Sequence, residues 1–172
     1  MRSLRYSIAS TVLAVALLGC ATGPFYSRPE RPMSTVAKIV VYRTSQLGGG
    51  AGTWVSTRLE VYGLATIKLP ADSFVVLDVP AGKVTLSATE LVNFQYDDAK
   101  RMTLDNNVIG GEIAYFRLLS VYGGCEAIYE KAEGVIASAT HYPRPDWPQT
   151  TCFQRVPEAI ALKDLKGLQR AD

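Results

Sequence analysis

The side chains able to carry covalent or metal chemistry are few and scattered. There are three cysteines, Cys20, Cys125 and Cys152, and one histidine, His141. A cysteine nucleophile needs a base beside it, and His141, set between Cys125 and Cys152, has no spacing that pairs it with either. A zinc site needs three or four ligands, and one histidine among dispersed carboxylates does not supply them. No catalytic residue, metal ligand or cofactor is therefore expected. Gly48, Gly49 and Gly50 are followed by Ala51, Gly52 and Thr53 and then a strand pattern. A phosphate loop needs Gly-Lys-Ser/Thr and a helix there, so this is read as a hairpin loop. Asp97 and Asp98 are adjacent, as in a polar turn, whereas glycosidase carboxylates must stand across a cleft.

Cys20 has the strongest context. Arg2 and Arg5 give the N-terminus a positive start, and Ile8 to Leu18 is uncharged. That run is too short to span a hydrocarbon core of about 30 Å, which takes roughly 20 residues; it suits a cleaved signal peptide. It ends Leu17-Leu18-Gly19-Cys20, similar to the lipobox of bacterial lipoproteins. The Cys20 thiol would accept a diacylglyceryl group, small Gly19 would admit the signal peptidase, and the new amine would take a further acyl chain such as palmitate. At about 0.8 kcal/mol per buried CH₂, two or three chains make a lasting anchor and one does not. Residues 1–19 are thus expected to be removed. Ala21 follows the cysteine, where aspartate often retains lipoproteins at the inner membrane, so the outer membrane, facing the periplasm, is expected.

Export changes the reading of the other two cysteines. In an oxidising compartment Cys125 and Cys152 form an even pair, and a disulfide between them is expected. It would close a loop of roughly 27 residues and stabilise the fold by about 3 kcal/mol through chain entropy. Within that loop HYPRPDWPQ (141–149) is aromatic and proline-rich. Tyr142, Arg144 and Trp147 are of the kinds favoured at binding hot spots, so this is a candidate partner-binding loop; the alternative is a cover in which Trp147 tucks onto the domain.

The elements that must position these residues follow from periodicity. Residues 20–35, with Pro24, Pro29 and Pro32, lack apolar periodicity and read as a semi-extended tether reaching on the order of 40 Å. From Val36 the pattern has period two. Strands are expected at AKIVVYR (37–43), WVSTRLEVY (54–62), ATIKL (65–69), SFVVLDV (73–79), KVTLSATE (83–90), RMTLD (101–105) and EIAYFRLLSVY (112–122). CEAIYEKAEGVIAS (125–138) is ambiguous and leans to strand. Gly63 makes a hairpin of the second and third of these. VPEAIALKDLKGLQ (156–169) carries a helical stripe of Ile160, Leu162, Leu165 and Leu168, with Pro157 in the first turn. The expectation for residues 36–172 is a mainly β domain: an antiparallel β-sandwich of about 7–8 strands with a short C-terminal helix.

The charge balance removes one class of partner. With Arg2 and Arg5 cleaved, 18 basic side chains become 16 against 16 acidic ones. A neutral mature chain without a basic cluster does not suggest a nucleic-acid binder. At 48% apolar and 20% charged residues, it can bury a core.

KIVVYR, the strand ending EVYG, the LDVPAGKVTLSA strand–turn–strand, EIAYFRLLSV and VPEAIALKDLK together resemble a family of small bacterial lipoproteins carrying a β-rich domain of unknown function. The resemblance covers residues 36–122 and 156–168, and is weakest over 123–155. It implies a β-sandwich-like domain on a lipid anchor and brings no catalytic residues. The expected function is a non-enzymatic binding or accessory module for an envelope protein. An enzyme or inhibitor acting on cell-wall or lipid substrates, and a carrier of a small ligand or lipid between the sheets, are the alternatives.

Overall fold

The strands of this chain come in two kinds, and the difference follows from what covers them. A computed structural model describes residues 23–44, 57–92, 95–96, 101–122, 136–137 and 149–171; for 90–92, 95–96, 119–122, 136–137 and 149–152 it describes the backbone alone. The described strands are β1 (Val36–Arg43), β2 (Thr57–Val61), β3 (Ala65–Leu69), β4 (Ser73–Pro80), β5 (Gly82–Val92), β6 (Gln95–Tyr96), β7 (Met102–Val108), β8 (Ile113–Tyr122), β9 (Ile136–Ala137), β10 (Gln149–Val156) and β11 (Gln169–Arg170). The single described helix, α1, spans Glu158–Asp164. Eight of these strands have five residues or more, within the number expected.

Two sheets result. One runs β11-β4-β1-β8-β10-β9; the other runs β3-β2-β5-β6, with β7 also paired to β5. The chain passes between sheets at Pro70–Asp72, at Ala81 and at Ile109–Glu112. Positive φ values at Asp72, Gly82 and Gly111 mark these crossings. β2 and β3 form the expected hairpin, with Val61 opposite Ala65 and Gly63 at φ 73°.

In the second sheet β2, β3 and β7 alternate, with Thr57, Leu59 and Val61 of β2 buried while Arg58 and Glu60 are less so; β5 alternates only at its start and is buried throughout Leu86–Thr89. In the alternating strands one face meets the other sheet and one is more exposed. β1 instead reads Ile39-Val40-Val41-Tyr42 without a break, and all four are fully buried. Ile39 and Val41 face the second sheet; Val40 and Tyr42 face α1. Burial on both sides is also the setting of parallel pairs, and β1 pairs in parallel with β8, with Ile39 opposite Ala114 and Val41 opposite Phe116. A second parallel pairing joins β11 to β4. The sandwich is thus antiparallel except at these two ladders.

Two hydrophobic clusters hold the layers together. Between the sheets, Ile39, Val41, Phe116, Leu118 and Phe153 meet Leu59, Leu69, Leu86 and Leu104. Phe116 and Phe153 pack edge to face at 6.3 Å. Outside the first sheet, Val40, Tyr42, Phe74, Tyr115 and Val156 are covered by Ala161, Leu165 and Leu168.

Three expectations change. β10 was not expected, yet it pairs with β8 along its full length, from Gln149↔Tyr122 to Val156↔Tyr115. Gln154 and Arg155 break its apolar alternation because each faces a polar partner, described below. The helix is shorter than 156–169: Gly167 adopts φ 91°, and Gln169–Arg170 return to the sheet. Its buried stripe runs through Ala161 in place of Leu162, which is 39% exposed.

The proline-rich segment lies along the domain. Gly23 N–H donates to the Arg170 carbonyl (3.2 Å), Arg170 N–H to Pro24 (2.9 Å) and Tyr26 N–H to Leu168 (3.0 Å). Phe25 bridges Gln169, and the Tyr26 ring packs edge-on to Phe74 at 5.2 Å. Residues 23–35 therefore run as a strap from β11 to the turn that precedes β8.

Candidate functional site

Alternation along β8 sends Tyr115 and Arg117 to the face beneath α1, where apolar cover alone would leave their polar ends unpaired. They are paired instead. Arg117 donates from Nη1 to Asp164 Oδ2 (2.9 Å), and from Nε and Nη2 to Gln154 Oε1 (3.3 and 2.9 Å). Tyr42 donates to the same Asp164 oxygen at 2.9 Å. Tyr115 donates to Glu158 Oε1 at 3.0 Å. That leaves its oxygen to accept from Tyr26, 3.4 Å away. β1, β8, β10, α1 and the strap each contribute to this network.

Burial raises the pKa of Tyr42 and Tyr115 well above the ordinary tyrosine value. For Tyr42 the Asp164 carboxylate adds to the effect; for Tyr115 the hydrogen bond with Tyr26 does. Tyr26 is shifted upward too, first by burial. All three phenols are therefore protonated near neutral pH and able to donate hydrogen bonds. The Arg117–Asp164 pair, with side chains only 12% and 11% exposed, clamps the helix to the sheet. Gln154 is fully buried, and its Nε2 has no partner among the described residues.

The edge of this network opens on the surface. A cleft of about 310 Å³ is lined by Arg28, Arg31, Ile109, Glu112, Ile113 and Glu158, with Gly110 and Gly111 between. A neighbouring depression of about 320 Å³ shares Ile113 and Glu158 and extends to Tyr115 and Arg155. Arg28 Nη2 pairs with Glu158 Oε1 at 2.7 Å. Arg155 holds Glu112 from the other side at 2.9 Å and reaches Asn106 Oδ1 at 2.6 Å. Ile109 is 67% exposed at the rim. The floor is made possible by Gly110, where a Cβ would coincide with the Ser34 carbonyl.

The cleft offers guanidinium and carboxylate groups of both signs beside exposed isoleucine. Among the described residues no group of three His, Cys, Asp or Glu side chains could hold a metal, and no helix is long and apolar enough to cross a membrane.

The residues singled out by sequence fall elsewhere. Cys20, Cys125, His141, Tyr142, Arg144, Trp147, Asp97, Asp98 and Gly48–Gly50 lie outside the described residues. Cys152 sits on the β10 backbone, its side chain outside the description. Sequence reading missed Arg28, Arg31, Glu112 and Glu158, because three separate segments supply them and no spacing joins them. The one available signal was Glu158 after Pro157 at a helix start. Comparison with protein families, curated proteins and solved structures finds no match for this chain.

Proposed function

We propose that the protein is a lipoprotein held in the outer membrane by acyl chains on Cys20, facing the periplasm, and that it serves as a non-enzymatic binding module for another envelope protein. The Leu17-Leu18-Gly19-Cys20 motif and Ala21 support the anchor and its membrane. The resemblance to small envelope lipoproteins supports the class. The mixed-charge cleft carries the binding role: the described residues between the sheets form a buried apolar cluster, and the cleft lies on an outer surface. There Arg28, Arg31, Glu112 and Glu158 surround exposed apolar carbon. Such lining matches a polypeptide, which brings both charges and apolar side chains, better than a uniformly charged small molecule.

Crosslinking in intact membranes followed by affinity recovery tests this reading. A partner protein is expected with the wild type and lost with Ile109→Asp or Arg31→Glu. Recovery of the lipoprotein alone under several growth conditions counts against it. Trp147→Ala, tested in parallel, assigns the contribution of the 141–149 loop. Cys20→Ala is expected to block acylation and release the protein from membranes; unchanged partition refutes the anchor.

A further inference from the structure

We propose that the cleft takes a short segment of its partner that carries a carboxylate beside an aliphatic side chain, the carboxylate on Arg31 and the aliphatic group on Ile109. This rests on the reading of the cleft as a polypeptide site and names the chemistry of what enters it.

Most charges of the cleft are already paired. Glu158 Oε1 is held by Arg28 at 2.7 Å and accepts from the Tyr115 hydroxyl at 3.0 Å. Glu112 Oε1 is held by Arg155 at 2.9 Å, and the other terminal nitrogen of Arg155 donates to Asn106 and to the Asn107 carbonyl. Arg31 differs. It is exposed, lines the same cleft, and has no hydrogen bond or ion pair among the described residues. Glu30, its acidic neighbour in the chain, is absent from the lining. The unspent charge of the cleft is therefore one guanidinium, whose donors form a fixed fork that fits a carboxylate. A basic segment has no such place, because both carboxylates are held by arginines that it would have to displace.

Apolar carbon lies beside that guanidinium. Ile109 is exposed at the rim, and Met33, two residues along the strap from Arg31, is exposed as well. Backbone contact keeps strap and turn together here: a Cβ on Gly110 would strike the Ser34 carbonyl, and one on Gly111 would lie 3.9 Å from that of Pro32. Arg31 and Met33 flank Pro32, and Ile109 precedes Gly110, so charge and aliphatic carbon are presented side by side. At about 310 Å³ the cleft is at the small end of ligand sites, which suits a short segment and not a whole folded face. An exposed guanidinium–carboxylate pair adds little affinity, but it separates one partner from another. A lysine or arginine in the same place would meet Arg31 as a like charge.

Peptide titration followed by NMR tests the preference. The full lipidated protein, carrying isotope-labelled glycine, is held in a non-ionic detergent, and the amide signals of Gly110 and Gly111 report on the cleft. The probes are acetylated, C-terminally amidated Leu-Glu-Leu, Leu-Gln-Leu and Leu-Lys-Leu, with acetylated Leu-Gln-Leu bearing a free C-terminus as the fourth. A carboxylate is expected to tighten binding about twofold to fivefold over amidated Leu-Gln-Leu, the range of an exposed ion pair, and Leu-Lys-Leu to bind more weakly. A gain in Leu-Glu-Leu assigns a side-chain carboxylate; a gain in the free acid assigns a chain terminus. Arg31→Gln is expected to erase the gain, whereas Lys68→Gln, on β3 of the other sheet, keeps it. Equal affinity with and without a carboxylate, a preference for Leu-Lys-Leu, or a gain that survives Arg31→Gln overturns this inference and leaves the polypeptide reading standing. If no peptide moves the Gly110 or Gly111 signal, the polypeptide reading of the cleft and this inference fall together.

Discussion

The hydroxyl of Tyr42, on the first strand, donates to Asp164, on the last turn of the helix, at 2.9 Å. The same carboxylate oxygen accepts from Arg117 on β8, also at 2.9 Å. One buried oxygen therefore ties the opening of the domain to its closing helix through the middle of the first sheet. The two donors are not equal. Removing the Tyr42 hydroxyl leaves Asp164 paired, and Tyr42→Phe is expected to cost about 1 kcal/mol. Asp164→Ala strands a largely buried guanidinium and is expected to cost about 3 kcal/mol or more. Urea unfolding of the two variants separates them; equal costs would show that Arg117 finds another partner.

The phenols carry a pH signature. Folding raises the pKa of Tyr42 and Tyr115, in both cases chiefly through burial. Below about pH 10 these groups are neutral in folded and unfolded chains alike, and their full contribution to stability is present. Above it the unfolded chain gives up protons that the folded chain retains, so stability falls as pH rises. The urea midpoint is expected to drop from about pH 10 upward. Tyr42→Phe with Tyr115→Phe should lower the starting stability and flatten that decline; a decline of unchanged slope would assign it to other groups.

Much of this fold was legible because burial imprints periodicity. β2, β3 and β7 alternate since one face is packed and the other is more exposed, and their strand positions follow from sequence; β5 alternates in residue type although its Ser87 and Thr89 are buried too. β1 reads as an unbroken apolar run for the opposite reason: the second sheet lies on one side and α1 on the other. β10 was hidden because Gln154 and Arg155, on opposite faces, are both polar and both hydrogen-bonded, Gln154 through its Oε1 to Arg117 on one side and Arg155 to Asn106 and Glu112 on the other. Period two in hydrophobicity cannot show a strand whose partners are hydrogen bonds. The strap was equally opaque. Pro24, Pro29 and Pro32 announce extended backbone, but only the position of Leu168, Gln169 and Arg170 decides that the backbone bonds to a strand edge. The cleft inherits that difficulty, since Arg28 comes from the strap, Glu112 from a turn and Glu158 from the helix.

Gly110 limits how closely the strap approaches. A Cβ there would overlap the Ser34 carbonyl, a backbone atom that cannot swing aside as a side chain would. Gly110→Ala is expected to lift the strap from the turn and cost about 1–3 kcal/mol, as overpacking does. The loss should be local as well as global. Cleavage of the strap after Glu30 by a glutamate-specific protease is expected to speed up relative to cleavage in the domain. A variant with wild-type digestion and stability would show that the strap shifts at no cost.

Arg155 joins three elements by one planar group. Its Nη1 donates to Asn106 Oδ1 (2.6 Å) and to the Asn107 carbonyl (3.0 Å) on β7, while Nη2 donates to Glu112 Oε1 (2.9 Å). β10 belongs to the first sheet and β7 to the second, so the guanidinium bridges the layers at the cleft wall. Arg155→Met keeps the stem and removes every donor, and is expected to cost about 2 kcal/mol. Its side chain and that of Glu112 are both partly exposed, which keeps the cost below that of a sealed ion pair. Arg155→Lys should recover little, because an ammonium on a flexible stem does not reproduce the fork that spans Asn106 and Glu112. A double-mutant cycle with Glu112→Gln isolates the pair, with a coupling of about 1–2 kcal/mol expected. If Arg155→Lys were as stable as the wild type, the bridge would be a matter of charge alone, and the geometry of the cleft wall would not depend on the fork.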